Sequence, residues 1–413
     1  MSSQTPQKQV RRRRVFYIPG YDPIHPRRYR ELYRSEGAAQ AKISGYEIDL
    51  KSKSGQGPYG WHVTSTQDGV TTETDIEALV WSDIVRQSMS NSIPATYLQL
   101  ARTAWIYVVS GALWRLMRLR KGPVIAALYP VGMLLLQLAL AVLAGWAVAA
   151  IVMLAELWLP KAPSRVIGLM AGLGVAVLIL RWFRARDGKL FAYYLMHDYA
   201  YSAQSGGANP PELEARMAEF GDLIAGALAG DADEVLVVGH SSGAHLGVSV
   251  LADLIRAGRV PADGPTLGFL SLGQVVPMVS FLPRAHRLRA DLHYLCTREE
   301  LAWVDVSAPG DGCAFALCDP VTVTGVAADG KRWPLVFSAA FTQTLSPDRW
   351  AELRWRFFRL HFQYLCAFDQ PGDYDYFRIT AGPLTLAERY ENRAPSKSRI
   401  DVAVSKYTSM APV

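Results

Sequence analysis

From Val124 to Leu159 the chain runs for 36 residues with only Gln137 and Glu156 interrupting an apolar sequence. After the polar break Pro160-Lys-Ala-Pro-Ser-Arg165, a second run from Val166 to Leu180 carries no charge. A helix needs about 20 apolar residues to cross about 30 Å of hydrocarbon. The first run exceeds that, and the second reaches it if Trp182 and Phe183 anchor its end in the interface. The pattern predicts a transmembrane helical hairpin over 123–183. Before it, Trp105 to Leu119 is too short and too basic at its end to span, and reads either as a basic interfacial helix within 101–122, its arginines toward anionic headgroups, or as a plain amphipathic surface helix.

On either side the period changes to that of an α/β domain. Val15 to Ile18 predicts a short strand, and 26–40 a helix. Tyr46 to Leu50 and Trp61 to Thr66 alternate as an antiparallel hairpin, and Ala78 to Trp81 reads as a buried strand. Beyond the hairpin, 211–228 is helical in period. Glu234 to Val238 is a buried strand, 243–257 a helix, and strands follow at 267–272, near 301–306 and at 333–341. Ser346-Pro347-Asp348 is a helix start with a capping serine and a first-turn proline. Alternating strands and helices imply a mainly parallel sheet with helices on both faces.

Composition and charge refine this. The 413 residues are 50% apolar and 19% charged, which excludes a disordered chain, a collagen-like one and a disulfide-stapled mini-protein. Cys296, Cys313, Cys318 and Cys366 form no CxxC pair and fit reduced core residues, with no zinc site expected. The net charge of +6 is unevenly placed: ten basic and two acidic residues lie between Arg115 and Lys189, so the rest of the chain sums to −2. The charge speaks for membrane topology and against nucleic acid. Arg115, Arg118, Arg120 and Lys121 precede the hairpin, and Arg181, Arg184, Arg186 and Lys189 follow it, whereas its connecting loop holds only Lys161 and Arg165. By the positive-inside rule both ends are cytoplasmic, in the inner membrane if the source is bacterial. Met1 to Arg14 lacks the apolar core of a secretory signal and predicts a basic arm that stays in the cytosol. The polar tail 392–413 predicts disorder. His197-Asp198, in a tyrosine-rich stretch just past the hairpin, reads as interfacial and structural.

Gly239-His240-Ser241-Ser242-Gly243 matches G-x-S-x-G. A serine on a tight strand-to-helix turn adopts a strained backbone, and glycines two before and two after leave room for the turn. Here a Val/Leu strand leads in and a small-residue helix leads out. In this context the sequence resembles the α/β-hydrolase superfamily over about 15–90 and 190–370, with the hairpin as an insertion. The segment Val15-Phe-Tyr-Ile-Pro-Gly-Tyr-Asp22 matches the family's strand and oxyanion loop, with Pro19 where the family often has histidine. The resemblance implies an oxyanion hole from the backbone N–H groups of Tyr21 and Ser242.

The family's order of nucleophile, acid and base implies Ser241, then an acid past the strand near 301–306, then His361. Asp311, in Ala308-Pro309-Gly310-Asp311-Gly312, is the first choice for the acid, Asp305 the second and Asp319 the third. His361 stands on the apolar stripe Trp350, Leu353, Phe357, His361, Tyr364, Phe368 of an expected helix. Either that helix starts later than its pattern suggests and His361 is the base, or His361 is a packed core histidine.

The expected organisation is thus a basic arm (1–14), two parts of an α/β-hydrolase-like domain (15–100 and 190–391), the interfacial helix and hairpin between them, and the tail. The expected function is that of a membrane-anchored serine hydrolase acting without cofactor or metal on an ester or thioester, with membrane lipids and an acyl substrate as partners. The same triad with an alcohol in place of water gives an acyltransferase. A non-catalytic hydrolase-like membrane scaffold would carry the departures at Pro19 and His361.

Overall fold

The computed structural model describes residues 9–53, 57–89, 92–154 and 161–411. Eight strands form one sheet: β1 (Arg12–Ile18), β2 (Glu47–Ser52), β3 (Gly60–Gln67), β4 (Val70–Ala78), β5 (Glu234–His240), β6 (Thr266–Leu272), β7 (Leu301–Ser307) and β8 (Leu335–Ser338). Their order is β2-β3-β4-β1-β5-β6-β7-β8, and pairing is parallel from β4 across to β8. Only β3 runs against its neighbours. This is an α/β fold with a mostly parallel sheet.

Alternation along the strands builds two buried faces. Val15, Tyr17, Leu236, Val238, Leu270 and Val304 join one core with Tyr29, Tyr33 and Ala41 of the helix Arg27–Ser44. Phe16, Ile18 and Phe269 turn the other way. There the helix Gly243–Arg256 lies so close that a Cβ on Gly247 would come within 2.7 Å of the Phe269 ring.

The chain divides into two compact units. The sheet unit comprises 1–86, 110–123 and 205–413, and the second unit comprises 87–109 and 124–204. That partition differs from the expected one. The basic stretch 101–122 is not one helix: Ile93–Val109 belongs to the second unit and Ala112–Leu119 to the sheet unit, broken at Gly111 with φ +74°. Arg115 of the second piece and Arg120 just after it donate to the backbone oxygens of Val404 and Ala316, so these two arginines serve the protein rather than a headgroup. The segment 87–100 and the helix Ala192–Ala203, expected in the sheet domain, lie in the second unit. His197 of that helix is buried and bonds Gln99 through Nδ1 at 2.9 Å.

Two further boundaries are corrected. The expected basic arm contributes residues 12–14 to β1, and Arg13 is buried against Glu234; residues 1–8 lie outside the described residues. The tail is held rather than free. Ile400 bridges Cys318, Ser396 N–H donates to Val336 O, and Val404 and Ser405 both donate to Val323 O. These are backbone bonds, so they leave no apolar period in the sequence.

Lys121–Leu154, which lies in the second unit from Val124 on, and Ser164–Ala185 are long and apolar enough to cross a membrane, and only 17% and 11% of their most apolar windows are buried. At 1.5 Å per residue the 34-residue helix is about 50 Å long, beyond the hydrocarbon thickness. Small residues let the two helices touch: a Cβ on Gly145 would lie 2.5 Å from Gly172 O, and one on Gly172 would lie 2.4 Å from Gly145 O. Gly168 and Gly172 are four apart, the spacing by which bilayer helices approach backbone to backbone. Glu156 and the connection around it lie outside the described residues.

Candidate active site

The chain leaves β1 toward β2–β4 on one side and β5 toward β6–β8 on the other. Strands β1 and β5 are neighbours, so the crevice at their carboxyl ends is a topological switch point, where open α/β sheets bind ligands. Three loops meet there, following β1, β5 and β7.

Ser241 follows β5 directly and has φ +57°, a left-handed conformation costly for a residue with a Cβ. The flanking glycines are required by contact. A Cβ on Gly239 would lie 2.7 Å from Ala244 Cα, and one on Gly243 would lie 2.1 Å from Ile18 O and 2.7 Å from Pro19 O. The second contact shows how the loop after β1 is brought against the start of the helix. A Cβ on Gly20 would reach Ser241 Cβ at 3.0 Å, and Trp81 Nε1 fixes the loop by donating to Pro19 O at 3.0 Å.

Of the two expected oxyanion donors, the Ser242 N–H has no hydrogen-bond acceptor among the described residues. The Tyr21 N–H instead donates to Ser242 Oγ at 2.9 Å. That hydroxyl therefore covers one donor in the resting structure.

His361 ends the short helix Phe357–His361. The expected long helix is broken into Pro347–Leu353, this five-residue helix and a 3₁₀ turn, Gln363–Leu365. The break lets the His361 ring leave the stripe and face the loop after β7. Its Nδ1 lies 2.7 Å from Asp311 Oδ2, and both residues are buried. Tyr364 O–H donates to the same Oδ2 at 3.0 Å and itself accepts from Ala308 N–H, while Cys313 N–H donates to Asp311 Oδ1 at 2.9 Å. A carboxylate with three donors is fixed in place, and it can only accept from Nδ1. With the proton on Nδ1, the lone pair of a neutral imidazole stands on Nε2.

Asp305 and Asp319, the other two candidates, do not join this pair. Asp319 caps the helix Pro320–Thr324 and pairs with Lys331. Asp305 lies within β7, accepts from Ser271 Oγ at 2.5 Å, and is pushed up to about 8 by burial. Between about pH 4 and pH 8 the folded chain therefore keeps a proton that the unfolded chain releases. The contribution of Asp305 to stability falls as pH rises through that window and levels off above it. Asp305→Asn is expected to gain stability relative to wild type as pH rises from about 5 to about 8, read as the difference in denaturation midpoints. An unchanged difference would contradict this account of Asp305.

His240, between Gly239 and Ser241, is fully enclosed. Its Nε2 meets His361 O at 3.0 Å, its Nδ1 meets Tyr17 Oη at 3.3 Å, and its ring lies 4.8 Å from that of His361. Burial holds it well below the usual histidine range, so it is neutral, and it links Tyr17 of β1 to the His361 backbone. Ser241 Oγ itself makes no hydrogen bond among the described residues.

Sequence reasoning missed Tyr364, Cys313 and Gly273 as supports. Gly273 follows β6 with φ +51°, and a Cβ there would lie 2.6 Å from the Tyr364 ring and 3.1 Å from His361 Cε1. Tyr364 was visible as the next member of the His361 stripe, but nothing in the pattern distinguished a positioning hydroxyl from a core ring. All four cysteines are free thiols. Cys313 stands with Asp311 and His361, their ligand atoms all within 4.8 Å of one another, a group that could take a metal ion only at the expense of the His361–Asp311 hydrogen bond.

No family model, curated protein or solved structure matches this chain. The functional reading therefore rests on the site itself.

Proposed function

We propose that the chain is a membrane-tethered serine hydrolase of the α/β-hydrolase type that cleaves a carboxylic ester or thioester. The observation that carries this reading is the strained Ser241, held on a glycine-flanked elbow at the same carboxyl end of the sheet as the buried His361–Asp311 pair. A fold has no need of a left-handed serine there, and such strain is retained where it aims a side chain.

In the proposed reaction Ser241 Oγ attacks the acyl carbonyl carbon and His361 Nε2 takes its proton. The carbonyl oxygen becomes an oxyanion, met by the free Ser242 N–H and by the Tyr21 N–H once the Ser242 hydroxyl turns away. The bond to the leaving group breaks as His361 returns the proton to it, leaving an acyl-Ser241. Water then repeats the cycle and releases the acid. Asp311 orients the imidazole and stabilises its charged form, with Tyr364 and the Cys313 N–H orienting Asp311. Ser241 and His361 come within hydrogen-bond reach as substrate enters, a tightening common between resting and substrate-bound sites.

The two long apolar helices support the tether. β1 and β5 pair side by side although both helices lie between them in sequence, so a chain inserted through these helices would have to cross an even number of times. With the basic flanks, this favours a cytoplasmic catalytic domain, for which membrane lipids or acyl chains would be natural substrates. Full-length protein in mild detergent is expected to hydrolyse a chromogenic acyl ester, with Ser241→Ala slower by roughly 10³–10⁶-fold. Equal rates for the two would refute the assignment of Ser241, and acyl transfer to an added alcohol with no free acid formed would redirect the reading to an acyltransferase.

A further inference from the structure

In the second unit, the start of the helix Ile93–Val109 and the last turns of Lys161–Ala185 line an open cleft of about 730 Å³. Its wall is apolar, with Ile93, Pro94, Val177 and Leu180, and its rim carries Arg181 and Arg184. Val177, Leu180, Arg181 and Arg184 recur at helical spacing, so the two guanidinium groups stand above the apolar residues on one face. Neither arginine has an ion pair or a hydrogen bond among the described residues. The acid next to them in sequence, Asp187, is engaged: its two oxygens accept from the Tyr193 and Tyr194 N–H groups, both at 2.9 Å. Arg186 is turned aside onto the Trp182 ring, 3.9 Å from its centroid.

Two unpaired cations above an apolar cleft complement one class of molecule, an anion joined to a hydrocarbon chain. We propose that this cleft binds an anionic phospholipid, its phosphate on Arg181 and Arg184 and one acyl chain along Val177, Leu180, Ile93 and Pro94. The charge selects the headgroup, as basic pockets beside membrane helices do. The apolar wall excludes free phosphate as the natural occupant, because it would stay empty beneath it. The helix rises about 6 Å from Arg181 back to Val177, so a chain leaving the headgroup runs down the wall. The inference rests on the membrane reading of the two long helices but not on the chemistry at Ser241.

The test uses full-length protein, delipidated in mild detergent and mixed with equal amounts of phosphatidylglycerol and phosphatidylcholine, with bound lipid read by native mass spectrometry. Phosphatidylglycerol is expected to be favoured by about tenfold or more. Arg181→Gln/Arg184→Gln is expected to lose that preference while retaining the wild-type circular dichroism. Leu180→Trp, which fills the apolar wall and keeps both charges, is expected to weaken phosphatidylglycerol binding independently of the charge change. Equal binding of the two lipids by wild type, or a preference that survives in the double variant, would overturn the proposal. So would loss of the preference in the presence of excess inorganic phosphate, which would make the site one for the free anion. Membranes washed in alkaline carbonate test the underlying reading separately. Protein released by the wash defeats the tether itself, whereas protein retained without a lipid preference defeats only this site.

Discussion

Asp311→Asn is expected to lower ester turnover by roughly 10⁴-fold while leaving the fold intact. Oδ2 of Asp311 accepts from His361 Nδ1 at 2.7 Å and from the Tyr364 hydroxyl at 3.0 Å. An asparagine of the same shape can present its N–H₂ to Nδ1, which moves the ring proton to Nε2 and removes the lone pair that must take the serine proton. Binding of substrate needs neither atom, so the loss falls on kcat rather than KM. The measurement is steady-state hydrolysis by both proteins, with their thermal unfolding compared in the same detergent. A variant that keeps wild-type kcat would return His361 to the status of a packed core residue. One that unfolds would call for Tyr364→Phe, which removes one positioning bond and is expected to reduce kcat by a smaller factor.

Arg13→Met is expected to destabilise the sheet unit by about 3–5 kcal/mol, the usual cost of stranding one partner of a buried ion pair. The Arg13 and Glu234 side chains are both fully buried, with Nε 2.5 Å from Oε2, and they join β1 to β5. The remaining groups are also satisfied: the guanidinium donates to Gly382 O at 2.7 Å and Leu384 O at 2.6 Å, and Leu386 N–H donates to Glu234 Oε1 at 2.6 Å. Removing the cation leaves a buried carboxylate and two uncapped carbonyls. Arg13→Met/Glu234→Leu is expected to recover part of the loss, since the uncompensated charge goes with the second substitution. Denaturant unfolding of the full-length protein checks both, and a change below about 1 kcal/mol for Arg13→Met would contradict the ledger of contacts around this pair.

The same pair shows where sequence reading stops. Four arginines at 11–14 read as a solvated arm because charge ordinarily marks the surface, yet Arg13 faces inward by the alternation of β1 and finds its acid 221 residues later. Strand β4 was hidden for a related reason. Its burial alternates, but the inward positions include Thr72 and Thr74, so the period exists in exposure and not in hydropathy. Only its last residue, Ala78, overlaps the strand expected over 78–81. The central strands β5, β6 and β7 were legible within a residue or two, because a parallel strand covered on both faces must be a continuous apolar run.

At the site, the elbow was legible because its chemistry is local. Gly239, Ser241 and Gly243 are adjacent in sequence, and each is fixed by contacts within the same turn or with β1. The His361–Asp311 pair joins residues 50 apart, and its candidates followed only from the chain order of the family the sequence resembles. The interruption of the helix around His361 was the least legible feature. Its apolar spacing continues through Phe357, but that ring is 50% exposed and does not hold the stripe together.

The central claim is that Ser241 is an activated nucleophile. Its most direct measurement is reaction of the full-length protein, in mild detergent, with a fluorophosphonate probe, which phosphonylates a serine only where a base removes its proton and an oxyanion hole receives the charge. The account predicts one adduct, mapped by mass spectrometry to the peptide carrying Ser241 and absent from Ser241→Ala. Folded wild-type protein that takes no probe, or an adduct that persists in Ser241→Ala, would contradict it.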